Sequence, residues 1–209
     1  MVTPLVKIKK EDFAQIQMDA AMILNKFDTT GHQAVQPADI VCLTTGDVGV
    51  NVTPQTVDQG EDVNGCPPGL AELMDIQGWD AKISFTALNI TPEILALSLG
   101  AADVASDHVT PRSTFNVAKD FKDTWLVGKK TGGGVVAVQL KKALSSAGLQ
   151  LTTTKNGKGQ LAVELTGHPS IDDEDPYAPP VDFWSTAASP AMAANVEPLK
   201  APKGKEGQA

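Results

Sequence analysis

Three histidines, His32, His108 and His168, are the side chains best suited to proton transfer near neutral pH, and they stand far apart in sequence. None lies at metal-ligand spacing from a cysteine or another histidine. His32 follows Thr30-Gly31 in a turn and His168 precedes Pro169 at a strand end, so both read as solvated loop residues. The run GKKTGGG at 128–134 has the composition of a phosphate loop but not its order of glycine, lysine and hydroxyl, and reads as a hairpin turn. Asp172-Asp173-Glu174-Asp175 could offer oxygens to Ca²⁺, but it lacks the alternating spacing and the glycine of a calcium loop. Cys66, before Pro67-Pro68, has no base beside it to raise its nucleophilicity. These residues assemble no active site, so the expectation is no enzyme, no metal and no cofactor.

The elements that would position any site are clearest in WDAKISFTALNITPEILALSLG, residues 79–100. Apolar and polar side chains alternate from Ala81 to Phe85, the pattern of a strand with one buried face. Thr91 then suits a helix N-cap, Pro92 the first helical position and Glu93 the positive end of the dipole. Ile94, Leu95, Leu97 and Leu99 follow before Gly100 ends the helix. With so few polar positions, this helix is short and largely buried.

The chain has 209 residues, 42% of them hydrophobic and 20% charged, enough for one sizeable domain with arms or for two small domains. No apolar run approaches the ~20 residues of a bilayer span. The lysines of MVTPLVKIKKEDF precede no apolar stretch, so no signal peptide is expected there. Cys42 and Cys66 cannot make a disulfide framework, and a reducing compartment is the simpler reading. Asn51-Val-Thr and Asn89-Ile-Thr then match glycosylation sequons by chance. The formal charge of −8 is unevenly spread. Residues 27–111 hold twelve acidic residues and one basic residue, net −11, whereas 112–171 hold nine basic and three acidic, net +6. The two segments either pair within one fold or present complementary faces to other copies. The chain is not the basic domain of a nucleic-acid reader.

Residues 11–28 fit a helix or a strand equally. Ile40 to Val52 reads as strand, with a turn or bulge at Gly46-Asp47 and Gly49. Pro54 to Gly78 is acidic and punctuated by proline and glycine, the composition of a long functional loop. Val109 to Val127, with Phe115, Phe121 and Trp125, reads as mixed loop and strand. LQLTTTKNGKGQLAVELTG, after Gly148, reads as a hairpin about Asn156-Gly157. Alternation directs Leu161, Val163 and Leu165 inward with Leu149 and Leu151, and Gln160, Ala162, Glu164 and Thr166 outward. Ile83, Phe85, Leu95 and Leu99 join the core. At least six strands and one helix give a mainly β fold, a β-sandwich or small barrel with one short packed α-helix, a long loop at 54–78 and extended terminal arms. Residues 185–209, rich in alanine, proline, lysine and glycine, form a C-terminal arm or tail.

The order of these pieces carries a resemblance. GEDVNGCPP is followed by a tryptophan and DAKISFTAL, then by TPEILALSLGAADV, DHVTPR and DTWLVG. A Gly-rich break, LSSAGLQLTTTKNGKGQLAVELTGH and a final DFW complete the series. Over roughly residues 20 to 184 the chain resembles the major tail tube proteins of long-tailed bacteriophages and prophages, with 1–184 as the tube domain.

The resemblance implies a structural virion protein, assembled in the host cytoplasm as hexameric rings that stack into a hollow tube. Its partners would be further copies of itself, the tape-measure protein, tail terminator and tail-tip proteins, and double-stranded DNA in non-specific passage; a membrane is not among them. Neighbouring subunits would complete an inner barrel, which removes exposed sheet edges. Strand alternation alone then makes Ser84, Thr86, Gln160, Glu164 and Thr166 the channel-facing candidates. Lys82 is expected to be paired with a carboxylate or turned to a subunit interface, since a ring of lysines would hold DNA by counterion release. The alternatives are a tube component of a contractile tail or type VI injection machine, and a β-sandwich binding or adhesion module.

Overall fold

The computed structural model describes residues 21–29, 35–153, 155, 159–173, 175 and 177–186. The expected N-terminal arm, the Asn156-Gly157 turn, His32 and most of the segment 185–209 lie outside them. The fold is mainly β, a large antiparallel sheet with short helices, as a β-sandwich with a packed helix requires. Strand β1 (Met22–Leu24) is followed by β2 (Ile40–Cys42), β3 (Thr44–Asp58), β4 (Met74–Ala87) and helix α1 (Pro92–Leu99). The hairpin β5 (Ala102–Ala105) and β6 (His108–Pro111) leads to α2 (Val117–Asp120), β7 (Lys122–Lys129) and β8 (Val135–Ser145). The chain closes with β9 (Gln150–Thr152), β10 (Gln160–Thr166) and β11 (Val181–Ser185).

In the large sheet the order is β2-β1-β7-β8-β10-β4-β3, with β11 also on β8 and β9 also on β10. Strand β8 belongs to both halves. Residues up to Ala143 pair with β7 and β11, while Leu144 and Ser145 pair with β10. Just before this switch, where the register with β7 shifts, Lys142 adopts a φ of 45°, a left-handed backbone uncommon outside glycine. The Asp123 carboxylate holds this bend, accepting from the Lys142 amide at 3.0 Å and from Gln139 Nε2 at 2.8 Å. The sheet thereby folds over onto itself.

The main core fills the fold. Ile83, Phe85, Leu161, Val163 and Leu165 are buried there, against Ile23, Leu126, Val138 and Leu140 of the other half and Ile94 of α1. A second cluster covers the opposite face of the β7 half, where Trp125 packs between Phe27 and Trp184 at ring-centroid distances of 5.8 and 5.0 Å. Both faces of β7 are therefore buried, and Thr124 to Gly128 run without a polar alternation.

Helix α1 begins as its cap residues dictate: Thr91 Oγ1 accepts from the Ile94 amide, Pro92 opens the helix, and Gly100 ends it at φ 79°. The buried face is a different one from that expected. Ile94 and Ser98 are buried, while Leu95 and Leu99 are half-buried. Ser98 tolerates burial because its hydroxyl donates to the Gly148 carbonyl at 3.3 Å. Leu149 and Leu151 are also not inward. They are 42% and 47% exposed, because β9 is only three residues long and pairs on one side with the end of β10. Finally, Pro54 to Gly78 is not one long loop. Residues 54–58 and 74–78 are paired strand, and only 59–73 connect them, ending in a single 3-10 turn.

Candidate functional site

The described residues among those that sequence singled out for chemistry stay apart. Among the described residues no group of three or more histidine, cysteine or acidic side chains could hold a metal ion. His108 is exposed at the start of β6, and His168 stacks edge-on against Phe121, where burial pushes its imidazole below the usual range. Cys42 lies in the core, its thiol pushed up to about 12 by burial, and Cys66 Sγ donates only to the Pro67 carbonyl. Residues 128–134 form the β7–β8 hairpin turn, closed by the Lys130 amide on the Gly134 carbonyl, and Lys130 Nζ donates to Ser185 Oγ. Asp173 and Asp175 cap local turns through the amides of Ser170 and Tyr177. None of these residue sets is arranged for proton transfer or nucleophilic attack.

The channel-facing candidates are brought together on one surface. In the register of β10 with β4, Ala162 lies opposite Thr86, Glu164 opposite Ser84 and Thr166 opposite Lys82. This face turns away from the core, and Ser84 and Gln160 are exposed while Thr86 and Glu164 are half-buried. Thr166 departs from the set. Lys82 and Leu144 flank it on either side, and its hydroxyl is closed off from solvent without a hydrogen-bond partner. Lys82 lies 3.5 Å from Asp80 and 3.7 Å from Glu164, which also accepts from Ser146 Oγ at 3.0 Å. With Asp47 beside Glu164 in the same shallow depression, the face is small, polar and net acidic.

A second feature was not anticipated. From Met74 to Asp80, β4 is hydrogen-bonded to β3 alone, since β10 pairs only with Lys82 to Ala87. At ~3.3 Å per residue the two strands run roughly 20 Å past the sheet as a ribbon. A bare two-stranded ribbon is marginal in water, and this one is closed at its end by a specific latch. The Asp58 carboxylate accepts from the Gly60 amide and the Gly69 amide, both at 2.8 Å, which holds its proton affinity below the usual carboxylate range. A side chain at Gly60 would sit 2.8 Å from Leu73 Cδ1 and 2.9 Å from Cys66 Sγ, so a Cβ there would push both side chains aside. The latched tip exposes Val63 and Leu70, and the adjoining strand exposes Met74 and Ile76. Residues 58–75 carry five acidic and no basic side chains.

Unpaired edges complete the surface. Among the described residues β2, β3, β9 and β11 each pair on one side only, and Leu43, Leu151 and Phe183 are exposed on or beside these edges. Part of the charge asymmetry is compensated among the described residues. Asp103 pairs with Arg112 and Lys119, and Arg112 with Asp120, which locks α2 onto the β5–β6 hairpin. Lys122, Lys129 and Lys142 make no ion pair among the described residues, nor do the acidic side chains of the ribbon tip.

A groove of about 460 Å³ lies between α1, β2 and the β5–β6 hairpin, floored by Ile40, Leu97 and Val104. Lys119 and Asp120 on its rim are already engaged in the Arg112 network. No helix among the described residues is long and apolar enough to cross a membrane. No protein-family model matches the chain, and no curated protein matches it in sequence.

Proposed function

We propose that this protein is a structural subunit that assembles with copies of itself into stacked hexameric rings, forming the tail tube of a long-tailed phage or prophage particle. The observation that carries this reading is the projecting β3–β4 ribbon. A two-stranded ribbon held rigid by Asp58, with Val63, Leu70, Met74 and Ile76 in solvent, has the design of an element that completes its burial on another subunit. The free edges of β2, β3, β9 and β11 supply the backbone groups that ring closure would pair. Unpaired acidic side chains at the ribbon tip and unpaired lysines on β7 and β8 supply complementary rims for stacking.

On this reading the acidic face of β4 and β10 lines the channel. It encloses the tape-measure protein and then passes double-stranded DNA, which a net acidic wall does not retain. Tail terminator and tail-tip proteins would cap the two ends, and the working location is the virion after assembly in host cytoplasm. A tube of a contractile tail or type VI machine would use the same surfaces; co-assembly with a sheath separates it from the sheathless tail. The groove beside α1 favours a binding module instead, but two of its charged rim residues are committed to internal ion pairs.

The test is sedimentation of the purified chain across a wide concentration range. Monomer giving way to hexamer and larger multiples supports the reading. A two-fold dimer that persists at every concentration contradicts it, because an isologous interface closes and leaves no surface for stacking.

A further inference from the structure

We infer that Asn64 is a site of spontaneous deamidation, a covalent change that the protein carries out on itself at the tip of the ribbon. Asn64 and Gly65 are both exposed and occupy the central positions of a β-turn closed by the Cys66 amide on the Val63 carbonyl at 3.0 Å. Gly65 has a φ of 82°, and nothing beyond its two chain neighbours lies within 4 Å of the place a Cβ would take. Among the described residues the Gly65 amide donates no hydrogen bond and the Asn64 side chain makes none. Neither the nucleophile nor the electrophile is committed to another partner.

The reaction follows from those groups. The Gly65 backbone nitrogen loses its proton to water and attacks Asn64 Cγ, forming a C–N bond. The Cγ–Nδ2 bond breaks and ammonia leaves, giving a five-membered succinimide. Water then adds to either imide carbonyl and opens the ring to aspartate or isoaspartate. The balance is amide plus water giving carboxylic acid plus ammonia, with no change of oxidation state.

Other asparagines show what holds the reaction back. Asn51 Oδ1 accepts from Thr53, Asn89 Oδ1 from the Leu43 amide and Asn116 Oδ1 from the Lys119 amide. Each of the three is followed by a β-branched residue, Val52, Ile90 or Val117, which crowds the attacking nitrogen. Asn64 has neither restraint. The product adds a sixth acidic group to the five of residues 58–75, and isoaspartate also lengthens the turn backbone by one methylene. The inference stands whether or not the protein builds a tube.

The experiment is peptide mapping by mass spectrometry of the full chain, aged at mildly alkaline pH, with isoaspartyl methyltransferase labelling of the same peptides. The expected result is amide-to-acid conversion at Asn64, with isoaspartate present, ~tenfold or more faster than at Asn51, Asn89 and Asn116, a barrier difference of about 1.4 kcal/mol or more. Gly65→Ala should slow it by a similar factor. Because that change also strains the turn, Gly65→Asn, which tolerates the left-handed backbone, serves as the second variant and should slow it too. Conversion of Asn64 no faster than that of Asn116 in the folded chain, or conversion only after unfolding in urea, would overturn the inference.

Discussion

Lys82 Nζ lies 3.7 Å from Glu164 Oε1 across the β4–β10 pair and 3.5 Å from Asp80, so one ammonium group is shared by two carboxylates on the outer face of the sheet. Both partners are more than a third exposed, which makes each contact weak as a stabilising pair. The consequence is instead one of field: the cation is neutralised and the face remains acidic. Glu164→Lys removes the shared partner and sets two ammonium groups side by side. The folded protein should lose no more than about 1 kcal/mol. On the proposed tail-tube reading, the same change should slow DNA ejection from virions, with added salt restoring the rate. Unchanged ejection kinetics would mean that this face does not line the channel.

Asp123 holds the bend of β8 through the Lys142 amide and Gln139. Asp123→Ala leaves the amide of a left-handed residue to water in place of its acceptor, and the cost expected is about 0.5–1.5 kcal/mol in urea unfolding. Lys142→Gly relieves the Cβ strain at φ 45°, against the greater freedom glycine gives the unfolded chain, so it should be close to neutral, within ~1 kcal/mol. A Lys142→Gly variant as unstable as Asp123→Ala would show that the lysine side chain, not the backbone bend, is what matters there.

Val163 is 2% exposed at the centre of β10, opposite Phe85. Val163→Asp buries a carboxylate without a partner and should cost several kcal/mol, comparable with the whole margin of a domain this size. The protein should be insoluble or unfolded on expression. The neighbouring Ala162→Asp, on the exposed face, should remain folded, and circular dichroism of the pair reads the register directly.

The Asp58 latch is pH-dependent with a definite sign. Hydrogen bonds from the Gly69 and Gly60 amides lower its folded-state affinity for protons. Its contribution to ribbon closure is therefore complete above the usual carboxylate value of about 3.9 and is lost as pH falls through the lower folded value. Hydrogen exchange, corrected for intrinsic rates, should show the Gly60 and Gly69 amides protected at neutral pH and released in acid. Asp58→Ala should release them at neutral pH as well. Equal protection in variant and wild type would place the closure elsewhere.

Much of this architecture is legible in the residues, and the exceptions have physical causes. Thr91, Pro92 and Gly100 mark α1 because capping is local chemistry, and the alternation of β4 and β10 survives because one face of each is buried. The ribbon is misread as loop because Pro54 and Gly78 look like strand breakers. Pro54 sits on the edge strand β3, where a missing amide donor costs no ladder bond, and Gly78 lies beside the register shift at Gln55. Ser98 hides the buried face of α1 because its partner, Gly148, is fifty residues away. Helix α2 is one turn long, and its signal is little more than the Asn116 cap. The polar face of β4 and β10 follows from alternation, whereas the Asp58 latch depends on two glycine amides, one of them eleven residues away, that no spacing rule connects.

Negative-stain microscopy of the purified protein at high concentration tests self-assembly into a tube most directly. The expected images show six-fold rings with an open centre and stacks of them, and Asp58→Ala should leave rings but shorten the stacks. Uniform particles of single-subunit size at every concentration would contradict the account.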